Sequence, residues 1–500
     1  MKFPEVNLSK GFQQKNFRVS LTIYLLLGVI FFMPYLILLK YFKFAIDINW
    51  SHFYQSILVS CTQAGLVVSL CAVISLVHFR ALFFFGRRSR AFIKNLLIVP
   101  VLLPAIFTIL IAFSIINPFP FGFTGVVVIF FMTYFGYFFV SLSEAIESKL
   151  GEQFLVKEVY GLSNYSFLVS ILWPHIRKEV LSLSLIVFVG CFSSLSIPLV
   201  ASGGRSVNFE LFIFETIFIQ NDWNSAIILS LVQALMLLVL GLWIKKYSIK
   251  SVFDRCNEFN LRSGVSLGFI ALYLIVYFGS LLFFTGTALS TVRWETLDSS
   301  LMLEALANSI FLFLLLAIVF TLFLVGLGYL FFHRRSVEFY KFFLTPSSVI
   351  VGFAFYLFFH TGSIITEYIK MTLGLFVVYS CSLFFNFISS PLEQLNRQVL
   401  TAKIYNLGFK DTLTEIIWPQ LYDKYFLCLS ILLLVSLTDF AVIKAVGAQT
   451  TTMGTFMYSY LSSYRLQWAF VFSFFTLIIW IIFLYALKRS FYVLNKKSKI

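Results

Sequence analysis

The sequence predicts an all-α membrane protein of about twelve transmembrane helices in two parallel repeats of six. Three observations carry that prediction. Sixty per cent of the 500 residues are hydrophobic, only 12% are charged, and 64 are Phe, far from the usage of a soluble domain. Apolar runs long enough to cross a bilayer, about 20 residues each, recur a dozen times. A polar-flecked stretch then appears twice, LVKEVYGLSNYSFLVSILWP from residue 155 and LTAKIYNLGFKDTLTEIIWP from residue 400, with seven identities at an offset of 245.

In chain order the expected spans fall at 19–42, 55–79, 92–116, 124–143, 180–203 and 223–244, then 265–286, 303–332, 342–360, 369–390, 425–446 and 467–487. The first run follows a basic start but is long enough to span, and no small-residue cleavage site follows it, so it reads as a retained helix. With both termini on one side, 30 of the 37 Lys and Arg share that side, including Lys2, Lys10, Lys15, Arg18, Arg87, Arg88 and Lys496. The seven others are Lys40, Lys43, Arg205, Arg293, Lys370, Lys444 and Arg465. Such asymmetry marks the crowded side as cytoplasmic. The net charge of +15 thus orients the chain in the lipid and implies no nucleic acid. The six cysteines are scattered through apolar runs and read as small core residues.

The repeats run 1–250 and 251–500, joined by the basic segment 245–264. Each carries an Arg-Arg-Ser loop (87–89 and 334–336), a proline-marked span start (Pro100 or Pro104, and Pro346) and one long cytoplasmic loop, 144–178 or 391–423. Two parallel halves are related by an axis along the membrane normal. Each long loop reads as a helical piece, a bend and a second short helix ending in Trp-Pro. Gly161 and Asn406 tolerate the left-handed conformation that the bend requires. Pro174 and Pro419 suit the first turn of the next span, and Trp173 and Trp418 suit the headgroup layer. Interfacial elbows need no more than that. Duplication of the whole unit on the cytoplasmic side points further, to docking of a two-fold symmetric partner.

Gly161, nine residues, Ile171, one residue, Trp173 and Pro174 make a spacing that resembles the cytoplasmic-loop signature of ABC importer permeases with the type I fold. The Glu-Ala-Ala part of that signature is absent, since Leu155-Val156-Lys157 and Leu400-Thr401-Ala402 stand there. Trp replaces Leu in both copies, and Asn406 replaces Gly in the second. Fused twelve-span permeases of this kind resemble the ferric-iron and thiamine importers. The stretches SLTDFAVIKAVG (436–447) and CFSSLSIPLVASGG (191–204) are similar to thiamine permeases in particular.

The resemblance implies a non-catalytic permease subunit of the bacterial inner membrane, multi-pass, with both termini cytoplasmic. Its partners would be a cytoplasmic ATPase dimer, which binds the ATP and Mg, an outer solute-binding protein, and membrane lipid. The ATPase-coupling loops would comprise Leu155, Glu158, Tyr160, Gly161, Leu162, Ile171, Trp173 and Pro174, and in the second copy Leu400, Tyr405, Asn406, Leu407, Gly408, Ile416, Trp418 and Pro419. Ser193, Ser194, Thr438 and Asp439 are the candidates for the translocation pathway, Asp439 being read as the only acid deep inside a span. No GxxxxGK[ST] phosphate loop, GxSxG elbow or metal-ligand spacing occurs, so no cofactor, metal or catalytic residue is assigned.

A major-facilitator secondary transporter would also have twelve spans in two halves. Gly86-Arg87-Arg88 fits its loop mark, but Phe79 and Phe83 stand where that mark has Gly and Asp.

Overall fold

The computed structural model describes residues 10–43, 48–159, 166, 168–247, 264–296, 298–333, 347–359, 363–405 and 407–497. Every regular element among them is helical. Lipid offers backbone groups no hydrogen bonds, so a chain this apolar closes its bonds within each segment. Nine described helices are long and apolar enough to cross a membrane: Val19–Tyr41, Trp50–His78, Phe123–Glu147, Trp223–Trp243, Val265–Thr291, Ser299–Phe332, Ile364–Ile388, Phe409–Thr438 and Leu466–Leu487. A tenth span arises if Ser89–Leu102 and Ala105–Ile115, bent by 96°, count together. The bend falls at Leu103-Pro104, where Pro104 lacks the N–H that would continue the first helix.

Two of the twelve expected runs are not among these spans, and a third is broken near its end. The run 342–360 yields the helix Ser348–Phe358, whose 11 residues reach about 16 Å, roughly half of a hydrocarbon core. The run 180–203 belongs to a helix that starts earlier, Trp173–Phe192, and carries Arg177, Lys178 and Glu179 in its first two turns. That helix stops at Ser193, and a short helix, Ser196–Ala201, takes over. The run 425–446 is broken likewise: its helix ends at Thr438 and Ala441–Ala445 follows. Asp439 therefore sits in a break between helices, not along a continuous span.

The chain forms two compact units, which cut it differently from the expected repeats. One contains 1–44, 299–456 and 476–500, so the first helix packs with the second half of the sequence. Phe31 is wholly buried there, its ring centroid 5.7 Å from those of both Phe323 and Phe376. The other contains 45–298 and 457–475. Here the helical pair Gly264–Leu274 and Ser280–Thr291 joins elements of the first half. Its Tyr273 hydroxyl donates to the Met132 carbonyl at 2.8 Å, and the Tyr277 hydroxyl lies 2.9 Å from Thr108 Oγ1. Gly136 lets the helix Phe123–Val159 close on the Leu97 carbonyl, which a Cβ would overlap.

Candidate functional site

Of the two long loops, the second has more of its residues described. Its helix Asn396–Ile404 buries Val399 and Ala402, leaves Leu400 half-buried, and exposes Ile404 and Tyr405 at its end. The Tyr405 N–H still donates to the Thr401 carbonyl at 3.1 Å, and Leu407 N–H reaches back five residues to the Ala402 carbonyl at 3.0 Å. Asn406, between them, lies outside the described residues. Gly408 is exposed, with ordinary extended dihedrals. Its carbonyl accepts from the Thr412 N–H at 3.0 Å and from Thr412 Oγ1 at 2.9 Å, starting the next helix. Phe409 then anchors the loop, its ring centroid 5.0 Å from Tyr329 and 5.7 Å from Phe332.

Sequence reasoning starts a new span at Trp-Pro. In the structure the helix begins earlier, at Phe409, and runs through to Thr438. A wide π-turn at Leu413–Ile417 precedes Trp418 and Pro419. Pro419 cannot donate to a carbonyl one α-turn back, and the widened turn absorbs that missing bond. Ile416 is half-buried within this turn, while Trp418 and Pro419 are exposed. The Trp418 ring centroid lies 5.1 Å from that of Tyr425. Gln420 Nε2 donates to Gln398 Oε1 at 2.6 Å, tying the helix to the loop. The resulting elbow is fixed on one face and presents Ile404 and Tyr405 on the other.

In the first loop Leu155 and Glu158 belong to the long helix Phe123–Val159, and Tyr160, Gly161 and Leu162 lie outside the described residues. The root of this helix is clamped by charge. Arg90 meets Glu147 at 2.9 Å, and Lys94 reaches Glu144 at 3.4 Å and Glu147 at 3.3 Å. A π-turn again precedes Trp-Pro, at Leu168–Leu172; Ile171 lies within it, half-buried, and Trp173 and Pro174 are exposed.

The pathway candidates sit at the two helix breaks. At the first, Ser193 Oγ donates to the Val189 carbonyl at 2.8 Å, and the Ser194 carbonyl accepts from Asn208 Nδ2 at 3.4 Å. Asn208 also caps the helix Phe209–Phe218 by accepting from the Leu211 N–H at 2.8 Å. The Phe209 N–H donates to Ser60 Oγ at 2.7 Å, and Gln63 Nε2 donates to Ser206 Oγ at 3.2 Å. Glu210 is completely buried and accepts from Gln233 Nε2.

At the second break, Thr438 is buried and its hydroxyl donates to the Leu434 carbonyl at 2.5 Å. Asp439 Oδ1 accepts from the Val442 N–H at 2.9 Å, and Oδ2 accepts from the Tyr379 hydroxyl. A Cβ at Gly454 would come within 2.7 Å of the Asp439 carbonyl oxygen. The loop that follows is pinned three times. Gln449 N–H donates to Glu367 at 3.0 Å, Asn308 Nδ2 donates to the Thr451 carbonyl at 2.9 Å, and Met453 N–H donates to Ser309 Oγ at 2.8 Å. Glu367 itself forms a buried ion pair with Lys370 at 2.6 Å.

Asp439 is accordingly not the single buried acid: Glu179, Glu210 and Glu367 are buried more completely. Sequence reading missed them because Glu179 and Glu367 stand just outside assigned apolar runs and Glu210 falls in the loop between two of them. The Glu367–Lys370 pair was findable, since residues three apart share a helix face. Tyr379 carried no signal of its own among 64 Phe and 24 Tyr; only its offset of 245 from Tyr134 marks it.

No protein-family model matches the chain, and no solved structure matches it. A stretch of 108 residues is 29% identical to the thiamine transport system permease protein of Salmonella typhimurium, covering 21% of this chain and 20% of that protein. The similarity thus spans about a fifth of the relative's length.

Proposed function

We propose that this chain is the membrane-spanning subunit of an ATP-binding-cassette importer. The observation that carries the reading is the duplicated elbow, whose described copy is anchored by Phe409 and offers Ile404 and Tyr405 to a partner. Similarity to a thiamine permease supports the same reading. A cytoplasmic ATPase dimer, holding ATP and Mg, would receive one loop in each subunit. Closure of that dimer would draw the loops together and open the pathway to a solute delivered by an outer binding protein; hydrolysis would reset it. The chain would lie in the bacterial inner membrane, with both termini and both long loops cytoplasmic.

Thiamine, or a related cation, is the favoured solute, because Asp439 brings one carboxylate to the pathway where the first half has Ser194. An intramembrane acid is costly, about 2.5 to 3.5 kcal/mol on insertion scales, and is usually turned to a cavity or a partner. Ferric ion is the second reading, resting on the likeness to fused iron permeases.

Three measurements test the proposal. Cysteines replacing Gln220 and Asp298 should be labelled from outside intact cells, and one replacing Ser163 should not. Labelling at 163 would sink the topology. Gly161→Pro should abolish thiamine uptake and copurification of the ATPase subunit while the chain still inserts, because Pro fixes the dihedral that the bend needs. Wild-type uptake and full ATPase binding in that variant would remove the docking role.

A further inference from the structure

We propose that Tyr379 is the positioning residue of the Asp439 site: its hydroxyl fixes the carboxylate that a cationic group on the solute would meet. The inference rests on the permease reading for its solute, but its geometry stands by itself. Thr438 and Phe440 are sealed in the protein, at 1% and 2% exposure, while Asp439 between them is half-buried. Tyr379, on the neighbouring helix Ile364–Leu383, is half-buried too. An acid within the membrane is usually turned to a cavity or a partner, and Asp439 is the one residue of 438–440 that is not sealed.

The carboxylate is held from two directions. Val442 N–H takes Oδ1 at 2.9 Å, and the Tyr379 hydroxyl takes Oδ2. An ionised carboxylate offers about four lone-pair sites, so these bonds, with one more from the Ala441 N–H, still leave acceptor capacity for a ligand. The terminal torsion of Asp is broad and roughly two-fold. The backbone N–H groups of Ala441 and Val442 hold the carboxylate from its own segment, and a charge-assisted bond from another helix fixes Oδ2. A site fixed beforehand loses less on binding than one that must be ordered by its ligand.

The other half of the sequence provides an internal contrast. Tyr134 precedes Tyr379 by 245 residues, the offset of the repeated loops. Its hydroxyl lies only 2.7 Å from where a Cβ on Gly190 would stand, against the helix that ends at the first break. The phenol thus recurs at both breaks, and the acid occurs at one. Tyr379 is the copy of this repeated aromatic position that has a carboxylate to hold.

The test uses the full chain, purified with its ATPase subunit and also alone in detergent. Tyr379→Phe, Asp439→Asn and the double variant are compared. In the first measurement a water-soluble carbodiimide with an amine labels Asp439, and the modified peptide is quantified by mass spectrometry. Labelling should be slow in the wild type and at least about three-fold faster in Tyr379→Phe, because Oδ2 is uncovered. In the second, the KM for thiamine uptake should rise several-fold in Tyr379→Phe at an unchanged maximal rate, with no further rise when the change is added to Asp439→Asn. Equal labelling rates, or an equal KM increase in the Asp439→Asn background, would overturn the assignment. Absence of thiamine uptake in the wild type would count against the solute reading, and labelling alone would then decide the role of Tyr379. If Tyr379→Phe gives no monodisperse peak, Tyr379→His, which restores a ring N–H, replaces it: slow labelling supports the role and fast labelling refutes it.

Discussion

The two helix breaks perform the same turn of the chain with different chemistry. Around Ser194 the following helix is held by side chains: Ser60, Asn208 and the Glu210–Gln233 pair. Around Asp439 bonds from Glu367, Asn308 and Ser309 are joined by close approaches that missing side chains allow. Gly454 lies on the Asp439 carbonyl, and Gly352 lies against Ala445, where a Cβ would come within 2.5 Å. Gly374 adds a third close approach, to Val442 at 3.1 Å. Polar networks hold through bonds that can exchange partners, whereas backbone in contact with backbone has nothing to rearrange. One contact is common to both, a serine hydroxyl accepting the first N–H of the helix, Ser60 for Phe209 and Ser309 for Met453.

The sharpest way to break this contrast is at Gly454. Its nearest neighbours are the backbone atoms of Thr438 and Asp439, which cannot yield as a flexible side chain would. Gly454→Ala should destabilise by about 1–3 kcal/mol and Gly454→Val by more, read as a fall in the melting temperature of the detergent-solubilised chain. An unchanged melting temperature in Gly454→Val would show the second break to be as pliant as the first. Next in size is Glu210→Leu, which leaves the buried Gln233 amide without its acceptor and should cost about 1–3 kcal/mol; Glu210→Gln should cost less, since an amide can accept.

A matched pair of glycines sharpens the comparison further. Gly204 and Gly447 both have positive φ, +72° and +64°. Nothing lies near Gly204, but the Tyr356 ring would stand 2.6 Å from a Cβ on Gly447. Gly204→Ala should therefore cost only the left-handed strain, about 1–2 kcal/mol, and Gly447→Ala clearly more. The smallest effect belongs to Gly408→Ala in the loop. Its dihedrals are ordinary and its nearest obstacle is Asp411 at 3.5 Å, so stability should shift by no more than about 0.5 kcal/mol.

What the sequence disclosed follows from how local each signal is. Long apolar runs announce themselves by composition alone, which is why nine of the expected spans reappear as helices of spanning length and a tenth as a bent pair. The breaks were invisible to that measure. Leu195 to Ala201 and Phe440 to Val446 are as apolar as the helices they interrupt, and averaging over a window joined them to their neighbours. The Trp-Pro step was legible as a repeated mark, yet its role as the end of a π-turn depends on carbonyl bonding that residue types do not encode. Asp439 was picked out because a charge in an apolar run is rare. Its partners were not, since Ala441 and Val442 contribute only backbone and Tyr379 lies 60 residues away.

The packing of the first helix sets a schedule for the chain's birth. Phe31 waits for Phe323, which leaves the ribosome 292 residues later. At bacterial and eukaryotic elongation rates of about 5–20 residues per second, that is roughly 15 to 60 s in lipid without its partner. The helix Val265–Thr291 meets partners at once, because Thr108 and Met132 precede it, while the Phe284–Phe470 contact has to wait. A chain stopped near residue 298 would hold most of one unit, lacking only 457–475, and would leave an orphan helix at its start. Quality-control proteases that survey unpaired spans would meet that orphan first, so the opening helix is where interrupted synthesis of this protein becomes detectable to the cell.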